Sequence, residues 1–137
     1  MSSDVPKNKI PGESRKGSNS YGYRSDGYLI HNKDVRIYIT IKYKLKLSTS
    51  EFRVGDVIGC GFSVLNKRIF FTVNGTLLKR EFSNVEVEKL IPAIGLKNIS
   101  SQAQFNFGAS PFIFNIREYA KELLQDLYQY LFYIILI

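Results

Sequence analysis

The sequence predicts an all-β fold, antiparallel strands stacked as a sandwich, closed by one C-terminal α-helix. Three observations carry this expectation. Aromatic residues are abundant, with ten Phe and nine Tyr in 137 residues and 45% apolar residues overall, a bias that suits pleated, half-buried surfaces. Short apolar runs between 57 and 78 are punctuated by turn signals, as in an antiparallel meander. After residue 115 the apolar spacing changes from period 2 to helical period.

Residues 1–20 are rich in Ser, Lys, Gly and Pro and read as a disordered tail or loop. Tyr21-Gly22-Tyr23 opens a short aromatic stretch, closed by a turn at Ser25-Asp26-Gly27, and Tyr28-Leu29-Ile30 makes a brief strand. Between 35 and 47, Ile37, Ile39, Ile41, Tyr43, Leu45 and Leu47 alternate with Tyr38, Thr40, Lys42, Lys44 and Lys46. That pattern is a strand with one apolar and one basic face. A turn at Gly55-Asp56 leads into 57–65, a strand apolar on both faces. Asn66-Lys67-Arg68 turns the chain into 69–73. Asn74-Gly75 is the strongest short-range hairpin signal, because a type I′ turn needs positive φ at both positions. Residues 76–78 pair back on the preceding strand.

Residues 81–90 form an irregular acidic connection. Ile91-Pro92-Ala93-Ile94-Gly95-Leu96 fits an edge strand, since Pro cannot donate to a ladder. Residues 103–107 alternate as a strand ended by Gly108, and Pro111-Phe112-Ile113-Phe114 closes the β region. Asn115 and Glu118 have capping-box spacing, Phe114 and Tyr119 fit a hydrophobic staple, and Ile116, Tyr119, Ala120, Leu123, Leu124, Leu127 and Leu131 repeat at helical spacing. The chain thus divides into a tail (1–20), a β domain (21–115) and a helix (116–137). One domain is what this length supports.

Charge narrows the function. The net charge is +7, but residues 1–48 hold ten Lys/Arg against four Asp/Glu, and residues 49–137 hold nine against eight. A nucleic-acid-binding domain would carry its basic residues on the patterned part of the chain. The basic face at Tyr38, Lys42, Lys44 and Lys46 supports an alternative, binding to RNA or an acidic surface. Edge-protecting lysines explain the same face, and nucleic acid is the disfavoured partner. The single cysteine, Cys60, excludes an internal disulfide and fits a reducing compartment, and residues 1–10 lack the apolar stretch of a secretory signal. The expected location is cytoplasmic or nuclear, which also disfavours a lectin-like role. The longest apolar run, 130–137, falls far short of the ~20 residues that span a bilayer.

Catalytic signals are lacking. His31, in a polar turn, and Cys60, in a buried strand, show no spacing that pairs them. No His, Cys or carboxylate cluster has metal-ligand spacing, and Gly59-Cys60-Gly61 lacks the third glycine and the following helix of a phosphate loop. No cofactor and no metal are expected.

Several strings in one order carry a resemblance. They are Pro11-Gly12; Ser20-Tyr21-Gly22-Tyr23 with Ser25-Asp26-Gly27; Val54-Gly55-Asp56-Val57-Ile58-Gly59-Cys60-Gly61; Ile69-Phe70-Phe71-Thr72-Val73-Asn74-Gly75; Ile91-Pro92-Ala93-Ile94-Gly95-Leu96; and Phe105-Asn106-Phe107-Gly108 with Pro111-Phe112-Ile113-Phe114-Asn115-Ile116. Together they resemble the C-terminal two-thirds of a SPRY (B30.2-like) domain. The resemblance is strongest to the subgroup found in Ran-binding-protein and Gid-type scaffolds of the CTLH (GID) ubiquitin-ligase assembly. It implies an incomplete concanavalin A-like sandwich without catalysis of its own, which binds a protein or peptide ligand through its loops, ubiquitin-ligase subunits among the candidates. Tyr21, Tyr23, Asp26, Phe52, Arg53, Asp56, Asn66, Lys67, Arg68, Lys97 and Asn98 are the expected contact residues. The match departs from the family in three places. Strands expected before Pro11 have no counterpart, Glu13 stands where the subgroup tends to carry Trp, and the stretch from Asp26-Gly27 to Gly55-Asp56 is longer than usual, its lysine-rich 35–47 part matching nothing in the family. Uncovered inner-face residues such as Phe62, Phe71 and Phe107 would then favour self-association.

Overall fold

The computed structural model describes residues 20–31, 51–86 and 90–135. Among the described residues, five strands form two antiparallel sheets. The first sheet pairs β1 (Tyr21–Tyr23) with β2 (Leu29–His31), Tyr21 opposite His31. The second has the order β3 (Ile58–Ser63), β4 (Arg68–Val73), β5 (Thr76–Leu77). The helix α1 runs Ile116–Ile135. Among the described residues the fold is of the expected sandwich class, antiparallel sheets with one helix; the basic segment 35–47 lies outside the described residues.

The meander turns where the sequence places the turns. Asn74 and Gly75 have φ of 50° and 79°, the left-handed pair of a type I′ hairpin. The β3–β4 turn occupies 64–67, with Lys67 at φ 53°, so Arg68 already belongs to a strand. The strand expected over 57–65 is shorter at both ends, and Val64 and Leu65 lie exposed in the turn.

β4 is the centre of the core. Ile69, Phe71, Phe82 and Val85 form one buried cluster, with Tyr21, Tyr23, Leu29, Phe62 and Leu78 packed against it. Phe82 and Val85 come from the connection read as merely irregular. Phe82 bridges Ile69 with both backbone bonds, at 3.0 and 2.9 Å, and the Val85 amide donates to the Lys67 carbonyl at 2.9 Å. Alternation along β4 puts Phe70 and Thr72 on the opposite face. There Phe114 and Tyr119 pack on Phe70, at 5.7 and 4.7 Å between ring centres.

The two glycines of β3 follow from this second face. Gly59 stands opposite Thr72 and Gly61 opposite Phe70. A Cβ on Gly61 would lie within 2.8 Å of three Phe70 ring atoms, and one on Gly59 would overlap the Thr72 hydroxyl. The bare backbone is the floor on which the ring lies. Gly61→Ala is therefore expected to displace Phe70 and cost about 1–3 kcal/mol, the usual range for overpacking. Urea unfolding checks this, and a stability within error of the parent would refute it.

Several expected elements are not strands. Residues 91–96, 103–107 and 111–113 run as irregular, exposed chain, and Phe114 is half-buried. Alternation forms a strand only where a neighbour accepts its ladder bonds and covers its apolar face, and no described strand pairs with these segments. Phe105 and Phe107 instead stack on each other, 5.8 Å apart, at 55% and 77% exposure. Of the expected inner-face residues, Phe71 is buried, Phe62 half-buried and Phe107 exposed. The helix starts as its sequence predicts. Asn115 Oδ1 accepts from the Glu118 amide at 3.2 Å, and the Phe114 and Tyr119 rings lie 5.6 Å apart, a cap and a staple together.

Candidate interaction surface

One end of the molecule gathers three loops. The β1–β2 turn is closed by the Gly27 amide donating to the Arg24 carbonyl at 2.9 Å, and the Phe52 amide donates to the Ser25 carbonyl at 3.1 Å. Residues 53–56 then form their own turn. The Asp56 amide donates to the Arg53 carbonyl at 3.1 Å, and Asp56 Oδ2 accepts from the Arg53 amide at 2.7 Å. Asn74 fastens this turn to the β4–β5 hairpin. Its Nδ2 donates to Asp56 Oδ1 at 2.8 Å, its Oδ1 accepts from the Val57 amide at 2.9 Å, and its own amide donates to the Val57 carbonyl at 2.8 Å.

Electrostatics follow the same contacts. The Asn74 amide and the Arg53 backbone hold the Asp56 carboxyl below its ordinary range. Arg24 grips Asp26 with Nε on Oδ1 at 2.7 Å and Nη2 on Oδ2 at 2.5 Å, a fork that lowers the Asp26 carboxyl pKa. The Arg24 guanidinium also sits 5.4 Å over the Tyr28 ring. Both acids remain ionised near neutrality, so this end presents fixed charges of both signs. Val54, at the tip between Arg53 and Gly55, stands fully exposed.

The expected contact residues do not form one surface. Tyr21 and Tyr23 turn inward: Tyr21 stacks on His31 at 4.1 Å and meets Phe82 at 5.1 Å, and Tyr23 packs on Phe52 at 5.1 Å and Phe71 at 5.3 Å. Burial raises both phenol pKa values, Asp56 adding to the effect at Tyr23. His31 therefore lies in a strand beneath an aromatic ring, not in a polar turn. Asp26, Phe52, Arg53 and Asp56 share the loop end. Asn66, Lys67 and Arg68 lie at the far end of the β3–β4 hairpin, about 20 Å away for six residues of strand. Arg68 is ion-paired there with Glu81. Asn98 folds back on Ser100, its Oδ1 accepting from the amide at 3.1 Å and the hydroxyl at 3.0 Å, in the exposed segment that also carries Lys97. Sequence reasoning missed Asn74, which it treated as a turn former alone; its Asx-type side chain was the available signal.

An apolar cleft of about 250 Å³ lies between β3 and α1, lined by Phe62, Leu65, Phe70, Ile116, Leu123 and Leu124 among others, with no charged side chain. Cys60, expected to be buried, is exposed. Among the described residues no three His, Cys, Asp or Glu side chains cluster as metal ligands, and no helix is long and apolar enough to cross a membrane.

These features define a module of antiparallel sheets whose loops are tied together at one end. A family model for the SPRY domain matches residues 4–110, and the chain belongs to that family. Ran-binding protein 9 of Homo sapiens is similar at 38% identity over 71 residues, 52% of this chain and 10% of that protein. The Ran-binding proteins 9/10 homolog of Drosophila melanogaster is 38% identical over 73 residues, 53% of this chain and 8% of that one. The dual specificity protein kinase splA of Dictyostelium discoideum is 34% identical over 90 residues, 64% of this chain and 3% of the kinase. The chain thus spans a small part of the curated relatives it matches. No solved structure matches it.

Proposed function

We propose that this protein is a non-catalytic interaction module that recognises a peptide or protein surface with the loop end built from 24–28 and 52–56. One observation carries the reading: backbone and side-chain bonds fasten these loops to each other and to the Asn74-Gly75 turn. Loops held in place before binding lose less conformational freedom on binding. Arg24, Asp26, Tyr28, Arg53 and Val54 face outward there and supply the contacts, while Tyr21 and Tyr23 support them from the core. Within this reading the module serves a scaffold of the CTLH (GID) ubiquitin-ligase type, a role supported by its likeness to Ran-binding protein 9.

The test is cross-linking of the full chain in cell extract followed by mass spectrometry, repeated with two variants. Arg53→Ala combined with Val54→Ala is expected to lose the cross-linked partners by about tenfold or more, as truncated hot spots do. Lys67→Ala, at the far end of the β3–β4 hairpin, should keep them. The reverse pattern would move the binding surface elsewhere and end this reading. Ligase subunits among the captured proteins would support the scaffold role, and their consistent absence would remove it.

A further inference from the structure

We propose that Asn74 is a site of spontaneous deamidation, held in check by its clamp to Asp56 and Val57. An Asn followed by Gly is open to attack because no Cβ shields the next backbone nitrogen. In that reaction the Gly75 nitrogen gives its proton to hydroxide and bonds to Asn74 Cγ. The Cγ–Nδ2 bond breaks as water returns a proton to Nδ2, ammonia leaves, hydroxide is regenerated, and a cyclic imide joins residues 74 and 75. Water then adds to either imide carbonyl, leaving an aspartyl or an isoaspartyl residue at position 74.

The folded chain opposes each stage. Cγ can swing toward the Gly75 nitrogen only if the carboxamide rotates, yet both of its polar atoms are engaged, Oδ1 by the Val57 amide at 2.9 Å and Nδ2 by Asp56 Oδ1 at 2.8 Å. The intermediate that forms on Cγ is anionic, and the Asp56 carboxylate stands beside it. Like charges at hydrogen-bond distance repel even where water screens them. The backbone adds a third restraint, with the Asn74 amide on the Val57 carbonyl.

The product explains why the check matters. A carboxylate at position 74 would have no proton for Asp56, and two carboxylates would meet across what was a hydrogen bond. The turn at 53–56 would be released from the β4–β5 hairpin. Deamidation is thus a one-way event that loosens the loop end, and Asp56 sets its pace.

The experiment follows one peptide. Trypsin cutting after Arg68 and Lys79 releases 69–79, in which Asn74 is the only Asn or Gln, so its amide-to-acid conversion and its isoaspartyl content are read directly by mass spectrometry. The full chain is incubated at mildly alkaline pH, in buffer and in concentrated urea, beside Asp56→Ala and Gly61→Ala, with folding of each confirmed by circular dichroism. The parent is expected to convert much more slowly in buffer than in urea. Asp56→Ala should convert about tenfold faster than the parent in buffer, the factor that one hydrogen bond to a charged group provides. Gly61→Ala, destabilised far from the amide, should stay near the parent rate. Equal rates for the parent in buffer and urea would overturn the proposal, as would Asp56→Ala matching the parent. Equal acceleration in both variants would do the same, because general loosening would then explain the effect.

Discussion

Phe71→Ala is expected to leave most of the chain unfolded at 37 °C. Phe71 sits on the central strand at 7% exposure, touched by the rings of Tyr23 and Phe82 and flanked in its cluster by Ile69 and Val85. Removing such a ring costs about 3–5 kcal/mol through lost transfer energy and the cavity left behind. A small domain has only about 5–15 kcal/mol in total, and the buried apolar core among the described residues is five side chains. Thermal melts followed by circular dichroism should show the midpoint falling by about 10 °C or more, or the transition vanishing. Lys67→Ala, on an exposed turn, should shift it little. An unmoved midpoint in Phe71→Ala would mean that this cluster is not what holds the chain together.

Self-association is the second large effect expected. Ile94, Ile99, Phe105, Phe107, Phe112 and Ile113 are all more than half exposed along one irregular segment. The outer edge of β3 also has no partner strand among the described residues. Apolar surface and open ladder edges of this kind both promote association. Light scattering should therefore give a mass above that of a 137-residue monomer, rising with concentration. Phe105→Ser with Phe107→Ser should lower it. A strict monomer across the concentration range would show that these side chains do not draw copies of the chain together.

The parts of the fold legible in the sequence are those set by neighbours in sequence. Asn74-Gly75 specifies its own turn, Asn115 and Tyr119 specify the helix start, and an apolar run between two turn signals specifies β4. What stayed hidden depends on partners far along the chain. Phe105 and Phe107 carry a strand pattern, but a pattern cannot show that no described strand lies alongside. Phe82 and Val85 sit in an acidic stretch without periodicity, and they become core because the short β5 leaves the start of β4 free to pair with Phe82. The site divides in the same way. Asp26, Phe52, Arg53 and Asp56 were foreseen and lie together, because short turns place them. The SPRY resemblance sets Tyr21 and Tyr23 among the contact residues, and the Phe82 and Phe71 rings draw them inward.

The short turns of the meander also set an order of assembly. β3, β4 and β5 are joined by a four-residue and a two-residue turn, so their pairing closes small loops and forms on the microsecond scale of isolated hairpins. Tyr23 reaches Phe71 from about 50 residues upstream, a closure that costs more entropy and gains nothing until the meander exists. The chain therefore builds its central sheet first, with Phe71 briefly facing water, and only then receives the aromatic hairpin that seals it. Crowded or chaperone-poor conditions act on that interval, when the face that makes the core is still open to any other apolar surface.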